Sequence, residues 1–250
     1  MAEKKKIIAV LPAYNAAKTL KLTLDDIPEG TVDEIILVDD ASKDETVSIA
    51  KQLGLIVFVH AENKGYGANQ KTCYKEALAL DADIVIMIHP DHQYNPKLVP
   101  QMLAPLINDE CDAVFGSRML NRQEALDGGM PKWKFLANIF LTKIENFVLG
   151  IKLSEYHSGF RAYSRNVLQT LPLEKNSDDF VFDTEIIVQL VANNFKIQEI
   201  PINTSYFKDA SSISLKRSIK YGLDILKTLI KYKLEKLHLR HHGQFAKIKK

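Results

Sequence analysis

Only two cysteines, Cys73 and Cys111, occur in the 250 residues, with no C-x-x-C spacing and no histidine at a metal-ligand offset from either. A disulfide framework and a structural zinc site are therefore excluded, and a reducing, cytoplasmic setting fits. Long uncharged apolar runs are missing as well: no window approaches the roughly 18 residues that a bilayer span requires. The run at 7–11 follows three lysines but is cut at once by Pro12, Tyr14 and Asn15, so it reads as a first strand and not as a signal peptide. No glycine follows that strand, where a dinucleotide fingerprint needs one, and G-x-x-x-x-G-K-[ST] occurs nowhere. Dehydrogenase and phosphate-loop readings fall away. Linkers rich in glycine, proline or serine, internal repeats and low-complexity tracts other than the basic end are absent too.

What is present is an ordinary globular composition, 46% hydrophobic, with an uneven charge. Residues 1–213 carry 22 Lys+Arg against 29 Asp+Glu, whereas 214–250 carry 11 against 2, so a basic segment follows an acidic body. The expected organisation is one α/β domain over 1–213 and a basic amphipathic helix and tail over 214–250. Apolar β-rich runs at 7–11, 34–38, 56–60, 84–88 and 113–115 alternate with helical patterns at 19–26, 45–53, 68–79 and 97–108. That rhythm belongs to a mostly parallel sheet, and the first four runs read as strands covered on both faces. Ser42 and Glu45 have the spacing of a capping box, and Pro96 stands where a helix begins. Beyond Arg118 the rhythm changes: a polar loop with Gly128 and Gly129, an amphipathic stretch at 131–150, the segment 158–163, a helix near 183–193 and an extended stretch at 197–207.

Parallel sheets bind ligands at the carboxyl ends of their strands. Here those ends are polar: Pro12-Ala13-Tyr14-Asn15, Asp39-Asp40, Asn63-Lys64-Gly65 and His89-Pro90-Asp91-His92-Gln93. A carboxylate accepts from a ribose hydroxyl or a base N–H, and Tyr14 offers a ring for stacking. Asp91 and Gln93 supply oxygens to a divalent cation, Mg²⁺ or Mn²⁺, bridging a diphosphate. His89 adds an imidazole nitrogen that Mn²⁺ tolerates better than Mg²⁺, or else is an ordinary hydrogen-bonded loop histidine. The rim suits a sugar nucleotide.

The pieces P-A-Y-N at 12–15, V-D-D-A-S-K-D-E-T at 38–46, N-K-G-Y-G-A at 63–68, D-H-Q at 91–93, G-S-R at 116–118, S-G-F-R-A-Y at 158–163 and F-D-T-E at 182–185 occur in that order. Together they resemble the family 2 glycosyltransferases of the GT-A fold, particularly those that glycosylate dolichyl or undecaprenyl phosphate. The resemblance implies that Pro12, Tyr14 and Asp39, with their neighbours Ala13, Asn15 and Asp40, hold the donor base and ribose. It places Lys64 and Gly65 near the nucleotide, and Asp91 and Gln93 at the metal and diphosphate. It turns Arg118 and Arg161 toward the donor diphosphate or an acceptor phosphate, although Arg161 outside its motif would read as a surface ion pair. The chain departs from the family at Ala16, where Glu is usual, and at His89, which replaces the first Asp of D-x-D. At 207–213 Lys208 is the one basic residue of a usually basic segment.

A lipid-phosphate acceptor needs cations to position it, whereas a saccharide hydroxyl needs a general base, for which Asp183 and Glu185 are the candidates. A third reading is a sugar-nucleotide-binding protein without transfer. In 214–237, Ile219, Leu223, Leu226, Ile230, Leu234 and Leu237 form one helical stripe flanked by Lys216, Lys220, Lys227 and Lys231. Two readings stand: a helix lying on an anionic membrane, or one packed on the body or on a partner subunit such as a second copy. Nucleic acid is not an expected partner, because no interleaved aromatics or recognisable module accompany the lysines.

Overall fold

A computed structural model of the chain describes residues 4–204, 215–239 and 243–248. Strands and helices alternate as β1 (Ile7–Ala13), α1 (Leu20–Asp25), β2 (Glu34–Asp39), α2 (Thr46–Gln52), β3 (Ile56–Val59), α3 (Tyr66–Ala79), β4 (Ile84–Met87), α4 (Val99–Ile107) and β5 (Ala113–Ser117). They continue as α5 (Arg122–Asp127), α6 (Lys132–Leu149), β6 (Arg161–Ser164), α7 (Arg165–Thr170), α8 (Phe182–Ala192), β7 (Ile197–Pro201) and α9 (Leu215–Lys236). The seven strands form one sheet in the order β3-β2-β1-β4-β6-β5-β7. β6 alone runs antiparallel to its neighbours, pairing Met87 with Arg161 on one side and Phe115 with Arg161 on the other.

Alternation along each strand divides the apolar residues between two layers. Ile8, Val10, Val38, Val85 and Phe115 face α3, α8 and α9, whereas Ala9, Leu11, Leu37, Ile86 and Val114 face α4 and the shorter helices. Each fully buried Leu or Ile contributes about 1.5–3 kcal/mol by leaving water. Truncating Leu103, which is buried under the sheet, would cost about 2–5 kcal/mol. β3 differs from the expectation of a strand covered on both faces: it is the sheet edge, and Val59 is exposed.

Local chemistry explains the element ends, with one correction. Asn95 caps the turn begun by Pro96, as the proline implies, by accepting from the Lys97 N–H. Ser42 does not cap α2: its hydroxyl accepts from the Asn15 N–H, and Asp44 bonds both the Thr46 N–H and its hydroxyl instead. Gly150 stops α6 in the left-handed conformation, its N–H donating to the Asn146 carbonyl. The polar loop expected after Arg118 contains the short α5.

α9 packs on α6 and α8. The face it buries is built from Tyr221, Ile225, Thr228, Leu229, Tyr232 and Glu235; of the aliphatic stripe, Leu226 and Leu234 are half-buried, and Ile219, Leu223, Ile230 and Leu237 stay exposed. The chain then turns back, and the Glu235 carboxylate accepts from the Gly243 and Phe245 N–H groups while Phe245 enters the core. No described helix is long and apolar enough to cross a membrane.

Candidate active site

The parallel strands β1, β2 and β4 bring their polar ends to one rim, because Ala13 pairs with Asp39, and the start of β6 packs beside β4, because Met87 pairs with Arg161. Tyr14 is 51% exposed there, its ring open for stacking, beside Asn15, which adopts a positive φ of 52° and accepts from the Lys43 N–H. Asp39 is buried, 1% exposed: Oδ2 accepts from the Ser42 N–H, while Oδ1 is buried with no hydrogen-bond partner. An orphaned carboxylate oxygen costs about 1–3 kcal/mol, and a bound N–H or hydroxyl would relieve that cost.

Asp40 points the other way. Its carboxylate accepts from the Lys64 and Gly65 N–H groups and meets His60 Nδ1 at 2.7 Å, while His60 Nε2 reaches the Thr72 hydroxyl at 2.9 Å. Asp40 thus folds the turn at 63–65, leaving the Lys64 side chain exposed and holding Gly65 at a φ of 99°. At Gly65 a Cβ would meet the Asp178 carbonyl oxygen at 2.7 Å, and at Gly67 the Ser177 carbonyl oxygen at 2.3 Å. These glycines are required by close backbone approach.

Beyond β4, the Asp91 carboxylate accepts from the Gln93 N–H at 3.1 Å and from its side-chain amide at 2.8 Å, which locks the two together. His92 turns outward with a φ of 55° and bonds Asp26 at 3.1 Å. His89 stacks on Tyr66, ring centroids 5.6 Å apart and planes 13° apart, with Nε2 3.3 Å from the Tyr66 hydroxyl. Burial lowers the His89 pKa below its ordinary value, against the opposing pull of Asp91 and Asp183. Among the described residues no three His, Cys, Asp or Glu side chains cluster as metal ligands. The donor types at His89, Asp91 and Gln93 are ones a divalent cation accepts when a diphosphate and water supply its remaining ligands, as is common for Mg²⁺ and Mn²⁺.

The remaining sequence candidates divide. Asp183 reaches the rim, where Oδ2 accepts from the Tyr66 hydroxyl at 2.8 Å, Oδ1 accepts from Gln70 Nε2 at 3.2 Å, and Arg161 lies 3.6 Å away. Glu185, two residues on, lies on another helical face, accepting from the Ser177 N–H, and burial raises its pKa. Arg161 is neither a surface ion pair nor turned to the rim. It is fully buried, its guanidinium donating to the Ser158, Tyr156 and Asp183 carbonyls, so it joins β6 to α8. Arg118 is gripped by Glu155, which also accepts from the Arg118 N–H, and donates to the His157 carbonyl at 3.1 Å. Burial works to raise the Glu155 pKa, but Arg118 prevails and holds it below the usual value. Lys208 lies outside the described residues.

Residues missed in the sequence are Tyr66, Gln70 and Glu155. Tyr66 lies in N-K-G-Y-G-A, one residue after a close-packed glycine, which is the signal for it; Gln70 and Glu155 carry none.

Residues 8–171 match the family model of glycosyl transferase family 2. A UDP-N-acetylglucosamine–dolichyl-phosphate N-acetylglucosaminyltransferase of Methanococcus voltae is 30% identical, over 93% of this chain and 98% of its own. A dolichyl-phosphate hexose transferase of Haloferax volcanii is 28% identical over 78% of this chain and 81% of its own. Among solved structures, glucosyl-3-phosphoglycerate synthase of Mycobacterium tuberculosis, bound to Mn²⁺, UDP-glucose and phosphoglyceric acid, superposes with a TM-score of 0.69 at 22% identity, covering 91% of this chain and 79% of that one. The same enzyme has been solved with Mg²⁺ and UDP. The sheet, its strand-end rim and these likenesses define a glycosyltransferase of the GT-A type. The chain belongs to glycosyl transferase family 2.

Proposed function

We propose that the protein transfers a sugar from a nucleoside diphosphate sugar to a polyprenyl phosphate, using Mg²⁺ or Mn²⁺ and inverting the anomeric centre. The observation that carries this reading is that both candidate bases are buried as well as hydrogen-bonded within the fold. Asp183 already accepts from Tyr66 and Gln70, and Glu185 from Ser177. A saccharide hydroxyl would require one of them as a base, whereas a phosphate acceptor is already an anion and needs positioning alone. The activities named for the archaeal relatives support the same choice. On the donor side, Tyr14 and the free Asp39 oxygen receive the base and ribose, and Asp91 with Gln93 receives the cation. Arg118, its fork oriented by Glu155, is the basic residue we assign to a phosphate.

Incubation with labelled UDP-N-acetylglucosamine or another UDP-sugar, polyprenyl phosphate and Mn²⁺ should give a chloroform-soluble labelled product, and Asp91→Ala should abolish it. Label confined to water-soluble glycan would overturn the acceptor assignment. Donor binding without transfer to any acceptor would leave a nucleotide-sugar-binding protein.

A further inference from the structure

His89 occupies a position where a carboxylate would be the simplest cation ligand, two residues before Asp91. Its surroundings determine which ring nitrogen carries the proton. The Tyr66 hydroxyl has one proton, and that proton points at Asp183 Oδ2, 2.8 Å away, in a carboxylate that also faces Gln70 and Arg161. With its proton donated to Asp183, the Tyr66 oxygen can only accept from His89 Nε2, 3.3 Å away. Nε2 therefore carries the imidazole proton, and Nδ1 keeps its lone pair. No hydrogen bond of Nδ1 is found among the described residues. Gly159 makes the arrangement possible, since a Cβ there would lie 2.4 Å from Nε2.

We propose that Tyr66 and Asp183 hold His89 in the Nε2-protonated form so that Nδ1 becomes a neutral nitrogen ligand of the cation bound at Asp91, giving a site that favours Mn²⁺ over Mg²⁺. The proposal rests on the nucleotide-sugar reading of this rim. A ligating histidine characteristically donates its other N–H to a fixed acceptor that sets its tautomer and orientation. Exchanging a carboxylate oxygen for an imidazole nitrogen weakens binding of the hard Mg²⁺ ion more than that of Mn²⁺. Tyr66 and Asp183 are positioning residues in this account, acting on the cation through His89.

Nitrogen-15 NMR of the histidine-labelled full chain without metal tests the tautomer directly, with His89 assigned by its loss in His89→Gln. Protonated Nε2 and unprotonated Nδ1 are expected, and a protonated Nδ1 would overturn the proposal. Calorimetric titration of Mn²⁺ and of Mg²⁺ with UDP present then compares wild type, His89→Asp and Tyr66→Phe. His89→Asp should reduce the Mn²⁺-over-Mg²⁺ preference about tenfold, and Tyr66→Phe should weaken Mn²⁺ binding by about tenfold. An unchanged preference in His89→Asp, with metal and UDP still bound, removes this inference and leaves the transferase reading intact. Failure of the wild type to bind UDP with either cation removes both.

Discussion

At the residue scale the site depends on small allowances of space and single unpaired atoms. A Cβ at Gly159 would lie 2.4 Å from His89 Nε2 and 2.9 Å from its Cδ2, so the imidazole must shift by more than a few tenths of an ångström. Gly159→Ala should lower kcat/KM by about tenfold to a hundredfold, as displaced active-site groups do, while the thermal midpoint changes little. Steady-state kinetics beside a melting curve measures both. Asp39 makes the complementary case. Asp39→Ala removes the buried, unpartnered Oδ1 and should weaken UDP binding by about 1–3 kcal/mol, read by calorimetry.

Glu145 supplies a pH prediction. It is fully buried, neither oxygen has a hydrogen-bond partner, and it faces His157 at 3.3 Å, with Arg161, Tyr156 and Tyr221 nearby. Burial raises the Glu145 pKa well above its ordinary value, with Arg161 opposing, and burial lowers that of His157 to about 4. A carboxyl with a raised folded-state pKa holds its proton more tightly when folded, so its contribution is complete below pH 4.5 and is lost as pH rises. His157, with a lowered pKa, costs stability as pH falls from 6.5 toward 4. Glu145→Gln should remove the first slope, at most about 1.4 kcal/mol per pH unit, and shift the second, because His157 touches the same carboxyl. Urea unfolding across pH 4–9 decides; an unchanged slope on the alkaline side would mean that Glu145 is ionised in the fold.

At the scale of elements, the parallel strands were legible because runs such as IIAV and IVIM are continuous in β-branched and other aliphatic residues, and their polar ends converge through a parallel register. β6 was not legible. Its four residues, RAYS, contain no apolar run, and its partners Ile84–Met87 and Ala113–Phe115 are distant in sequence, so no local pattern announces an antiparallel strand inserted between them. The same insertion hides Arg161 from a sequence reading: only the paired strand reveals an arginine buried beneath the rim. In α9 the aliphatic stripe was plain, but the docking face is built from Tyr221, Thr228, Tyr232 and Glu235 around Ile225 and Leu229, a mixture without hydrophobic periodicity of its own. The two faces make opposite predictions. Ile225→Ala should destabilise the protein by about 2–4 kcal/mol, whereas Leu223→Ser, at a 53% exposed position, should change stability by less than about 0.5 kcal/mol. Chemical denaturation of the two variants side by side is the check.

At the scale of the whole molecule, α6 and α9 pack side by side and leave apolar residues outside. α6 exposes Trp133, Leu136, Phe140 and Phe147, the last 87% exposed, and α9 exposes Ile219, Leu223 and Ile230, followed by Leu237 just past its end. Scattered single residues of this kind are ordinary, but two neighbouring helices each carrying such a row mark an interaction surface. We propose an anionic membrane as the partner, on the charge. The segment 214–250 carries 11 Lys+Arg against 2 Asp+Glu on an otherwise acidic chain, and Lys216 and Lys231 flank the row on α9, with Lys220 and Lys227 in exposed pairs with Asp179 and Asp224 that a lipid phosphate would compete for. Lysine stems lie along apolar surface while their heads meet phosphate, and each contributes about 1 kcal/mol near an anionic bilayer. A surface of this kind would hold the protein where a polyprenyl phosphate is found, without any spanning helix. The full chain should therefore sediment with vesicles containing phosphatidylglycerol far more than with pure phosphatidylcholine. Salt should weaken the binding, and Phe147→Ser combined with Leu223→Ser should reduce it by about a hundredfold or more, since each substitution removes roughly 1.5–3 kcal/mol of apolar transfer. If the vesicles leave the protein behind while analytical ultracentrifugation shows a dimer that the same double variant dissociates, the surface belongs to a second copy of the chain and the membrane assignment is wrong.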